Sequence, residues 1–396
     1  MKILVVNCGS SSIKYKLYEM NGEEVLAQGG IEKIGLEGAF IKYKLPNGET
    51  VKKMASLPTH TEGIRLMFDT LLSPEVGAIK SLDEIGAAGH RIVAGGTYTE
   101  SQVVTPQMLE GWKPFMGLAP LHSPAHLKGY EAVKALLPNL KQVFVFDTAF
   151  HQTMPPKAFY YALPYKYYTD YHIRRYGAHG TSHRFVTARV GEYLGVDVTT
   201  KKIITCHIGN GASISAVKYG KCVDTSMGLT PLEGLMMGTR TGDIDAGAVT
   251  YLMDKFNLDT KGISDLLNKK SGLAGVSEGS SDFRDILAGI AAGNDKARLA
   301  KEMYTYRIKK YIGAYAAAMG GVDIILFTGG AGENQWEVRE GATNGLEYMG
   351  VKMDVTRNRS CRATEAILSA DDSKVTVCCI PTDEELMIAL DTQALC

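Results

Sequence analysis

Residues 2–18 read KILVVNCGSSSIKYKLY, and residues 202–218 read KIITCHIGNGASISAVK. Each stretch begins with an apolar run, passes through a glycine-containing turn and continues in an alternation of apolar and polar residues, the pattern of adjacent antiparallel strands. A spacing this long exceeds that of any solenoid repeat and is typical of a duplicated domain. The aligned stretches pair Ile3 with Ile203, Asn7 with His207, Gly9 with Gly209 and Ser10 with Asn210.

Strand-like and helix-like stretches alternate through the rest of the chain, which favours an α/β fold. The spacing of apolar residues predicts a helix over 124–137, a strand over 142–146, a long helix over 295–319 and a strand over 322–327. We expect the buried stripe of the long helix to consist of Leu299, Met303, Tyr306, Ile312 and Met319.

Length and composition bound the class of protein. The 396 residues suffice for two or three domains, which we place at 1–150 and 151–385, with the segment from about 386 to 396 packing back on the first. Lys plus Arg and Asp plus Glu number 43 each, which argues against a protein that binds nucleic acids or membranes. No apolar run is long enough to span a bilayer, and the seven cysteines contain no C-x-x-C pair. We therefore expect a cytoplasmic protein with reduced thiols.

Three glycine-rich loops follow strand-like runs, at residues 8–12, 207–211 and 329–334. Backbone N–H groups of such loops can approach a phosphate closely, because glycine has no side chain. Neither a Walker A motif nor G-x-G-x-x-G occurs, which disfavours P-loop and Rossmann chemistry. A serine-rich turn explains the first loop equally well when it is taken alone. Three such loops after strand-like runs predict nucleotide binding.

Two arginines lie among glycines, Arg91 in GHR and Arg240 in GTRTGD. Transfer of a phosphoryl group requires cations at its equatorial oxygens, although a solvated charge is the alternative for either arginine alone. His179 and His183 have the i, i+4 spacing of zinc ligands on a helix, but Gly180 favours a helix start or a loop. We prefer His179 as a donor to a phosphoryl oxygen, with a structural histidine as the alternative.

Two further patterns favour structural interpretations. The run DTAFH at 147–151 contains an Asp and a His, which could belong to the catalytic triad of a hydrolase. The sequence lacks the G-x-S-x-G turn of many hydrolases, so we discount hydrolysis. Tyrosines crowd residues 160–176, which would suit stacking with single-stranded nucleic acid. Because basic residues are scattered, we expect these rings to pack in a core or a subunit interface.

Eight motifs follow one another along the chain: NCGSSS at 7–12, GHR at 89–91, FDTAFH at 146–151, HGTSH at 179–183, HIGNG at 207–211, MGTR at 237–240, DFR at 282–284 and PTDEE at 381–385. In this order, and over essentially the whole chain, they resemble the acetate kinase family. The resemblance implies an α/β fold of two duplicated actin-like (ribonuclease H-like) ATPase domains with a central cleft, and a homodimer. It also implies reversible, direct in-line transfer of the γ-phosphoryl group of ATP to acetate, which gives acetyl phosphate and ADP.

The resemblance further implies a role for each matching residue. Asn7 and Glu384 would place Mg²⁺, or Mn²⁺, directly or through water, as suits an ion that keeps much of its hydration. Arg91 would hold the carboxylate of the substrate, while Arg240 and His179 stabilise the moving phosphoryl group. The nucleotide and its phosphates would contact Ser10, Ser12, Lys14, His207, Ile208, Gly209, Asn210, Gly211, Asp282, Phe283, Arg284, Gly330, Ala331, Gly332, Glu333 and Asn334.

Asp147 matches the residue that the family is taken to use as an acid or base. A carboxylic acid with a pKa of about 4–5 is already ionised at pH 7, so acetate needs no general base to act as a nucleophile. We therefore expect Asp147 to orient Arg91 or a water molecule.

Three alanines depart from the family pattern, since Ala94 stands in place of a His, Ala178 of a Phe and Ala246 of a Pro. The small side chain of Ala178 would leave extra space for the acyl group. We hypothesise that propionate or butyrate competes with acetate, because one methylene in an apolar pocket is worth about 1–3 kcal/mol. Neutral variation, or changes that damage activity, are the alternatives. By resemblance, the acyl pocket is lined by Val93, Leu121, Ala178 and Pro231.

Two other functions remain open at this point. One is a short-chain acyl kinase that prefers propionate or butyrate. The other is an actin-like, nucleotide-dependent assembly protein that uses the same fold without transferring phosphate. The second does not explain why Arg91, His179 and Arg240 occur together. The direction of the reaction and the preferred phosphoryl donor also remain open.

Overall fold

The computed structural model of the chain describes residues 1–45, 48–120 and 122–396. Two compact α/β units make up the fold. The first comprises Met1–Ala149 together with Asp383–Cys396, and the second comprises Phe150–Thr382.

The first unit is built on an eight-stranded sheet. Its strands are β1 (Lys2–Cys8), β2 (Ser12–Glu19), β3 (Glu24–Glu32), β4 (Phe40–Lys44), β5 (Thr50–Met54), β6 (Ile85–Ile92), β7 (Gln102–Val103) and β8 (Lys141–Phe146). They lie side by side in the order β5-β4-β3-β2-β1-β6-β8-β7. The strand β1 pairs antiparallel with β2 and parallel with β6, and β6 pairs parallel with β8.

The helices of the first unit are α1 (His60–Leu71), α2 (Pro106–Trp112) and α3 (Ser123–Leu136). The start of α1 is set by a capping box, in which the Thr59 side chain accepts from Thr61 N and the Glu62 side chain accepts from Thr59 N. The apolar faces of α1 and α3 bury Ile64, Met67 and Val133 in one core against β1, β2 and β3. The helix predicted at 124–137 and the strand predicted at 142–146 are thus confirmed as α3 and β8.

The second unit repeats the strand order of the first. Its strands are β9 (Lys202–Ile208), β10 (Ala212–Lys218), β11 (Lys221–Thr225), β12 (Ile324–Thr328), β13 (Ala366–Ile367) and β14 (Thr376–Cys379). They lie in the order β11-β10-β9-β12-β14-β13. The strand β9 pairs antiparallel with β10 and parallel with β12, as β1 does with β2 and β6. This equivalence confirms the predicted duplication of an α/β domain.

The helices of the second unit surround this sheet and its loops. They are α4 (Pro156–Phe159), α5 (Lys166–Tyr171), α6 (Gly180–Leu194), α7 (Ala246–Phe256), α8 (Thr260–Lys269), α9 (Gly272–Ser277), α10 (Phe283–Ala291), α11 (Asp295–Met319), α12 (Gly329–Asn334), α13 (Trp336–Thr343) and α14 (Val355–Ser360). None of the described helices is long and apolar enough to cross a membrane.

The long helix α11 has the predicted bounds but a different buried face. Ile312 and Met319 are buried as expected, whereas Leu299, Met303 and Tyr306 are 50%, 41% and 61% exposed, so this part of the prediction is wrong. The reason is that small alanines face the core in the first half of the helix. The prediction had assigned the larger apolar residues of this half to the buried face. The buried residues of α11 are Ala297, Ala300, Tyr304, Thr305, Ile308, Ile312, Tyr315, Ala316 and Met319.

The C-terminal helix α15 (Glu384–Leu395) packs on the sheet of the first unit. Its residues Ile388 and Ala389 share an apolar cluster with Ile3 of β1 and Val143 of β8. The helix lies so close to β6 that a Cβ atom on Gly89 would stand 2.7 Å from Ile388 Cγ2. The packing of α15 therefore requires a glycine at this position of the GHR motif, independently of any role of His90 and Arg91 in a functional site.

The buried imidazole of His90 predicts how the stability of the first unit depends on pH. His90 Nε2 lies 2.7 Å from Gln142 Oε1, and burial lowers the pKa of His90 from 6.5 to about 4. The unfolded chain therefore takes up a proton near pH 6.5 that the folded chain takes up only near pH 4. The free energy of unfolding, complete above pH 6.5, falls as the pH drops through this window, by about 3 kcal/mol at most.

Urea unfolding between pH 5 and 8 checks this expectation. His90→Asn should lower the number of protons taken up on unfolding at pH 5 by about one. His172→Asn is the control, because His172 is exposed and has a left-handed backbone that asparagine tolerates. An unchanged pH dependence in His90→Asn would contradict the assignment.

Candidate active site

Parallel strands bring three of the predicted site residues of the first unit to one edge of its sheet. Asn7 lies at the end of β1, Arg91 near the end of β6, and Asp147 directly after β8. The register pairs Val6 with His90 and Arg91 with Val145, so these strands end at nearly the same level. The carboxyl ends of adjacent parallel strands are where α/β proteins bind their ligands.

Arg91 is held by a buried carboxylate. Its Nε and Nη2 donate to Asp147 Oδ2 at 3.0 and 2.7 Å, and the Asp147 side chain is only 1% exposed. Glu384 Oε2, at the start of α15, lies 3.8 Å from Arg91 Nη2. Burial alone would lower the pKa of Arg91, but the charges of Asp147 and Glu384 outweigh it and raise that pKa. The guanidinium is therefore a fixed, oriented cation, as expected of an arginine positioned by Asp147.

Glu384 and Asn7 offer oxygen donors beside this arginine. Burial raises the pKa of Glu384, with further contributions from Arg91, which lowers it, and Asp147, which raises it again. Glu384 adds a second carboxylate beside the Arg91 guanidinium, and carboxylate oxygens are donors that suit a bound cation. No group of three or more His, Cys, Asp and Glu side chains that could hold a metal occurs among the described residues. The donor set fits Mg²⁺, which binds through one or two protein oxygens, water and phosphate.

The first glycine loop, 8–12, is a tight turn between β1 and β2. Gly9 N donates to Ser12 O at 2.8 Å, and His60 Nε2 lies 2.8 Å from Gly9 O. Ser10 is exposed at the tip of the turn and Ser12 begins β2. Lys14 is exposed and pairs across the ladder with Asn7.

In the second unit His179 is fixed by its backbone and its ring. It precedes α6 with a left-handed φ of 58°, and its Nδ1 lies 2.9 Å from Ser213 Oγ. Its ring stacks on that of His207 at a centroid distance of 4.2 Å. The predicted helix start at Gly180 is confirmed, and the zinc alternative finds no metal-binding group in the described part of the chain.

A buried polar chain behind His179 was not predicted. Ser213 Oγ also lies 2.7 Å from His183 Nε2, and His183 Nδ1 lies 2.7 Å from Thr205 Oγ1. Burial lowers the pKa of His183 well below its usual range, so this ring is neutral. Thr205 and Ser213 carry hydroxyl groups inside otherwise apolar strands. Because buried hydroxyl groups need hydrogen-bond partners, these two residues were the sequence signal for a buried polar chain.

Arg240 is a half-buried cation without a carboxylate partner among the described residues. Its Nη1 donates to Pro231 O at 3.1 Å and lies 3.7 Å from Met237 Sδ. Burial lowers its pKa. A Cβ on Gly211 would lie 3.4 Å from Arg240 Nη1 and 3.6 Å from His179 Nε2, so the guanidinium, the imidazole and the glycine loop adjoin. This is the arrangement of an anion site.

The glycine loops of the second unit lie against one another. A Cβ on Gly209 would be 3.8 Å from Gly330 N, and Gly329, with a φ of 77°, would place a Cβ 3.0 Å from Ile208 N. Gly238 leaves no room for a side chain beside Asn210 and donates its N–H to Asn210 O at 3.0 Å. The loops at 207–211 and 329–334 therefore form one continuous surface of backbone groups.

Two side chains, the half-buried Glu333 and the buried Arg339, hold the loop at α12. Glu333 Oε1 accepts from Gly329 N at 2.8 Å and from Thr382 N at 3.2 Å, so this predicted nucleotide residue serves its own loop. Arg339, fully buried, donates through Nη1 to Gly332 O and Glu333 O, both at 2.9 Å. The sequence analysis missed Arg339. Asn334 Nδ2 donates to Gly330 O at 3.0 Å, while Ala331 is half-buried.

The DFR motif contributes in an unexpected way. Phe283 is 5% exposed and packs against Tyr304, whose hydroxyl donates to Gly209 O at 3.3 Å. Arg284 is 77% exposed and pairs with Asp282 at 2.5 Å. The phenyl ring therefore supports the glycine loop from the core side, while Arg284 faces solvent and the half-buried Asp282 caps α10 by accepting from Arg284 N.

The residues of the predicted acyl pocket are divided between the units. Val93 belongs to the first unit and is half-buried, whereas Ala178 and Pro231 belong to the second. Leu121 lies outside the described residues. Ala178 is buried, and its carbonyl lies 3.1 Å from His151 Nε2.

The other two departures from the family pattern are accommodated locally. Ala94 is buried and its carbonyl accepts from Trp112 Nε1 at 2.8 Å. Ala246 begins α7 directly after the cap residue Asp245, a position that tolerates alanine as well as proline.

Comparisons with known proteins agree with the geometry. The family model of the acetokinase family matches residues 2–390. The acetate kinase of Phocaeicola vulgatus is 65% identical over 100% of this chain and 99% of its own. The crystal structure of Porphyromonas gingivalis acetate kinase has a TM-score of 0.96 at 54% identity, covering 100% of this chain and 99% of that one. A propionate kinase from Francisella tularensis has a TM-score of 0.93 at 38% identity, with 100% of both chains covered. The chain belongs to the acetokinase family.

Proposed function

We propose that the protein is an acetate kinase, which transfers the γ-phosphoryl group of ATP to acetate and gives acetyl phosphate and ADP, reversibly and in line. The observation that carries this proposal is the half-buried Arg240, which has no carboxylate partner among the described residues and adjoins His179 and Gly211. A cation kept uncompensated beside a glycine loop favours an anion that carries several oxygens. Membership of the acetokinase family supports a phosphoryl group as that anion.

Arg240 and His179 would stabilise the group in transfer. Charge on a transferring phosphoryl group spreads over its equatorial oxygens, so positioned cations and donors lower the barrier more than any covalent step. The contact of His179 Nδ1 with Ser213 turns Nε2 toward Gly211, where it adjoins Arg240. Both groups thus face the same side of the loop.

Arg91 would bind the carboxylate of acetate. Asp147 engages its Nε and Nη2, while Nη1 makes no hydrogen bond within the described residues and can donate to a substrate oxygen. Acetate is ionised at neutral pH, so no proton needs to be removed from it. In this proposal Asp147 is a positioning residue.

Mg²⁺ would be held by Asn7 and Glu384, directly or through water, and Mn²⁺ can replace it. Bound there, the ion supplies charge neutralisation at phosphate oxygens. Glu384 brings the negative charge that this role requires, and Arg91 stays paired with Asp147.

We also infer a homodimer that acts in the cytoplasm, as the family resemblance implies. The tyrosine-rich segment offers exposed rings for such an interface, since Tyr165 and Tyr171 are 67% and 64% exposed. The exposed Leu299, Met303 and Tyr306 of α11 offer a second apolar surface.

A short-chain acyl kinase that prefers propionate or butyrate is the second candidate function. Ala178 favours it, because alanine is small where the family pattern has phenylalanine. The 38% identical relative described as a propionate kinase shows that close structural relatives include such enzymes.

An ADP-release assay with ATP and Mg²⁺ tests both candidates. Acetate, propionate and butyrate are compared side by side, and the acyl phosphate is trapped with hydroxylamine. We expect acetate-dependent turnover, with kcat/KM for propionate within about a hundredfold, since one methylene is worth about 1–3 kcal/mol. Absence of any acyl phosphate would contradict the proposal, and a stronger preference for acetate would show that other side chains fill the space at Ala178.

Replacing Arg240 tests the proposed site of transfer. Arg240→Gln should lower kcat by about a hundredfold to a thousandfold, because one fixed donor to the transition state is lost. Its melting temperature and ADP affinity should stay close to those of the wild type. Arg298→Gln, an exposed arginine of α11, is the control and should keep full activity. Equal kcat in the two variants would rule out this role.

Replacing Asp147 tests the positioning of Arg91. Asp147→Asn should raise KM for acetate by about tenfold and leave KM for ATP unchanged, because Arg91 loses a charged partner. If Asp147 acts only through Arg91, then adding Asp147→Asn to Arg91→Ala costs no further activity. Additive losses in the double variant would mean that Asp147 contacts the substrate itself.

A further inference from the structure

Five lysines share one face of the sheet in the first unit. Directly paired residues of antiparallel strands point to the same side, so the register shows which side chains are together. We call this group the lysine face. The pairs that define it are Lys14 with Gly30, Gly30 with Lys42, Lys42 with Lys52, Lys16 with Gln28, and Gln28 with Lys44.

The lysine face is concave. Four of its lysines, Lys14, Lys16, Lys42 and Lys44, line a cavity of about 390 Å³, whose floor includes Gln28 and Gly30 on β3. Two carboxylates, Glu32 and Glu385, also line this cavity, and Lys52 lies beside it on the same face. Gly30 has no side chain, and the atoms nearest to the position where its Cβ would stand are Ile13 O at 3.6 Å and Glu32 Oε1 at 3.9 Å. The sheet is therefore indented between Lys14 and Lys42, which flank this glycine.

The lysine face carries five lysines against three nearby carboxylates, those of Glu32, Asp383 and Glu385. Lys16 pairs with Asp383 at 3.3 Å and with Glu385 at 3.4 Å, both at the start of α15. The four other lysines are exposed and make no ion pair within the described ranges. Lys52 Nζ lies 4.0 Å from the centre of the Phe40 ring. This cation–π contact does not neutralise the charge of the lysine. A chain without net charge thus concentrates positive charge at one place.

Neither folding nor solubility explains this arrangement. Lys42 and Lys52 are direct neighbours across the ladder, and like charges in that position destabilise a sheet. Lysines on an edge strand prevent aggregation, but of the three strands that carry these lysines only β5 is an edge, whereas β2 and β4 are interior strands. Repulsion retained on interior strands points to an anionic ligand.

We propose that the lysine face, on the sheet of the first unit, binds a linear oligophosphate, with Lys14 shared between this face and the residues that the family resemblance assigns to the nucleotide. Neighbouring strands are about 4.8 Å apart and alternate residues about 6.8 Å apart, so flexible lysines at these positions can surround a chain of three phosphates. Ammonium groups act as point charges on phosphate and do not need the planar geometry of a carboxylate. The cavity has the volume of a small-ligand site.

Titration calorimetry with inorganic tripolyphosphate, without Mg²⁺, tests this proposal. Saturating ADP is present so that the nucleotide loops are occupied, and the titration is repeated without ADP. The wild type should bind in both cases. The triple variant Lys42→Gln, Lys44→Gln, Lys52→Gln should bind at least about tenfold more weakly, with a smaller dependence on salt. None of these three lysines belongs to the proposed catalytic machinery, so acetate kinase activity without tripolyphosphate should be unchanged.

A second triple variant provides the charge-matched control. It carries Lys53→Gln, Lys80→Gln and Lys113→Gln, three exposed lysines outside the lysine face. Lys53 lies on β5 but pairs with the buried Ile41, so it belongs to the opposite face of the same strand. This control should bind tripolyphosphate within about twofold of the wild type and, like the first variant, should melt near the wild-type temperature.

Three results would overturn the proposal. They are failure of the wild type to bind, equal weakening in both triple variants, and loss of wild-type binding when ADP is added, which would place the ligand in the nucleotide loops.

The β,γ-imido analogue of ATP, titrated in the presence of ADP, identifies the source of the phosphate chain. Tighter binding than tripolyphosphate, lost in the first variant, indicates a nucleoside triphosphate, whereas weaker binding indicates an inorganic chain. Either result supports a site for oligophosphate, and the assay of acyl phosphate formation stands independently of it.

Discussion

The parallel pairing of β1 with β6 in the first unit, and of β9 with β12 in the second, is the constraint on which the positions of the candidate site residues depend. Because β1, β6 and β8 run in the same direction, Asn7, Arg91 and Asp147 reach one edge of the sheet although they are far apart in sequence. In the second unit the pairing of β9 with β12 sets His207 directly beside Thr328. Parallel neighbours require long crossovers, and these crossovers carry most of the helices.

Arg91 in the first unit and Arg240 in the second differ in how their charges are balanced, and this difference matches the charges of their proposed ligands. Arg91 is held between Asp147 and Glu384, so the acetate proposed to bind there would meet a cation that is already oriented and partly neutralised. Arg240 has carbonyl and sulfur contacts alone among the described residues, which leaves its full charge for a group with several negative oxygens. Burial without a carboxylate partner costs stability and is retained where a ligand supplies the missing charge.

Sequence patterns were a better guide to the helices and strands than to the contacts between distant residues. The family, the duplicated α/β fold and the bounds of α11 are confirmed, because periodicity and motif order are local properties of the chain. The buried face of α11 was wrong in its first half, since tertiary packing chose alanines over larger apolar residues. The supports of the site were missed because their partners are distant in sequence. Arg339 binds Asn358 and the carbonyls of α12, and the His183 side chain is linked to the His179 side chain through Ser213.

The position of α15 has a consequence for the order of events during synthesis. Ile3 and Val143 bury their side chains against Ile388, which the ribosome adds only after the whole second unit. Until then one apolar face of the first sheet is uncovered, and Glu384 is missing from the neighbourhood of Arg91. The unit that begins first is thus completed last, and its folding is tied to contacts of the longest sequence separation in the chain. Strands β1 and β8 must stay protected from aggregation for the time that the ribosome needs to translate the second unit.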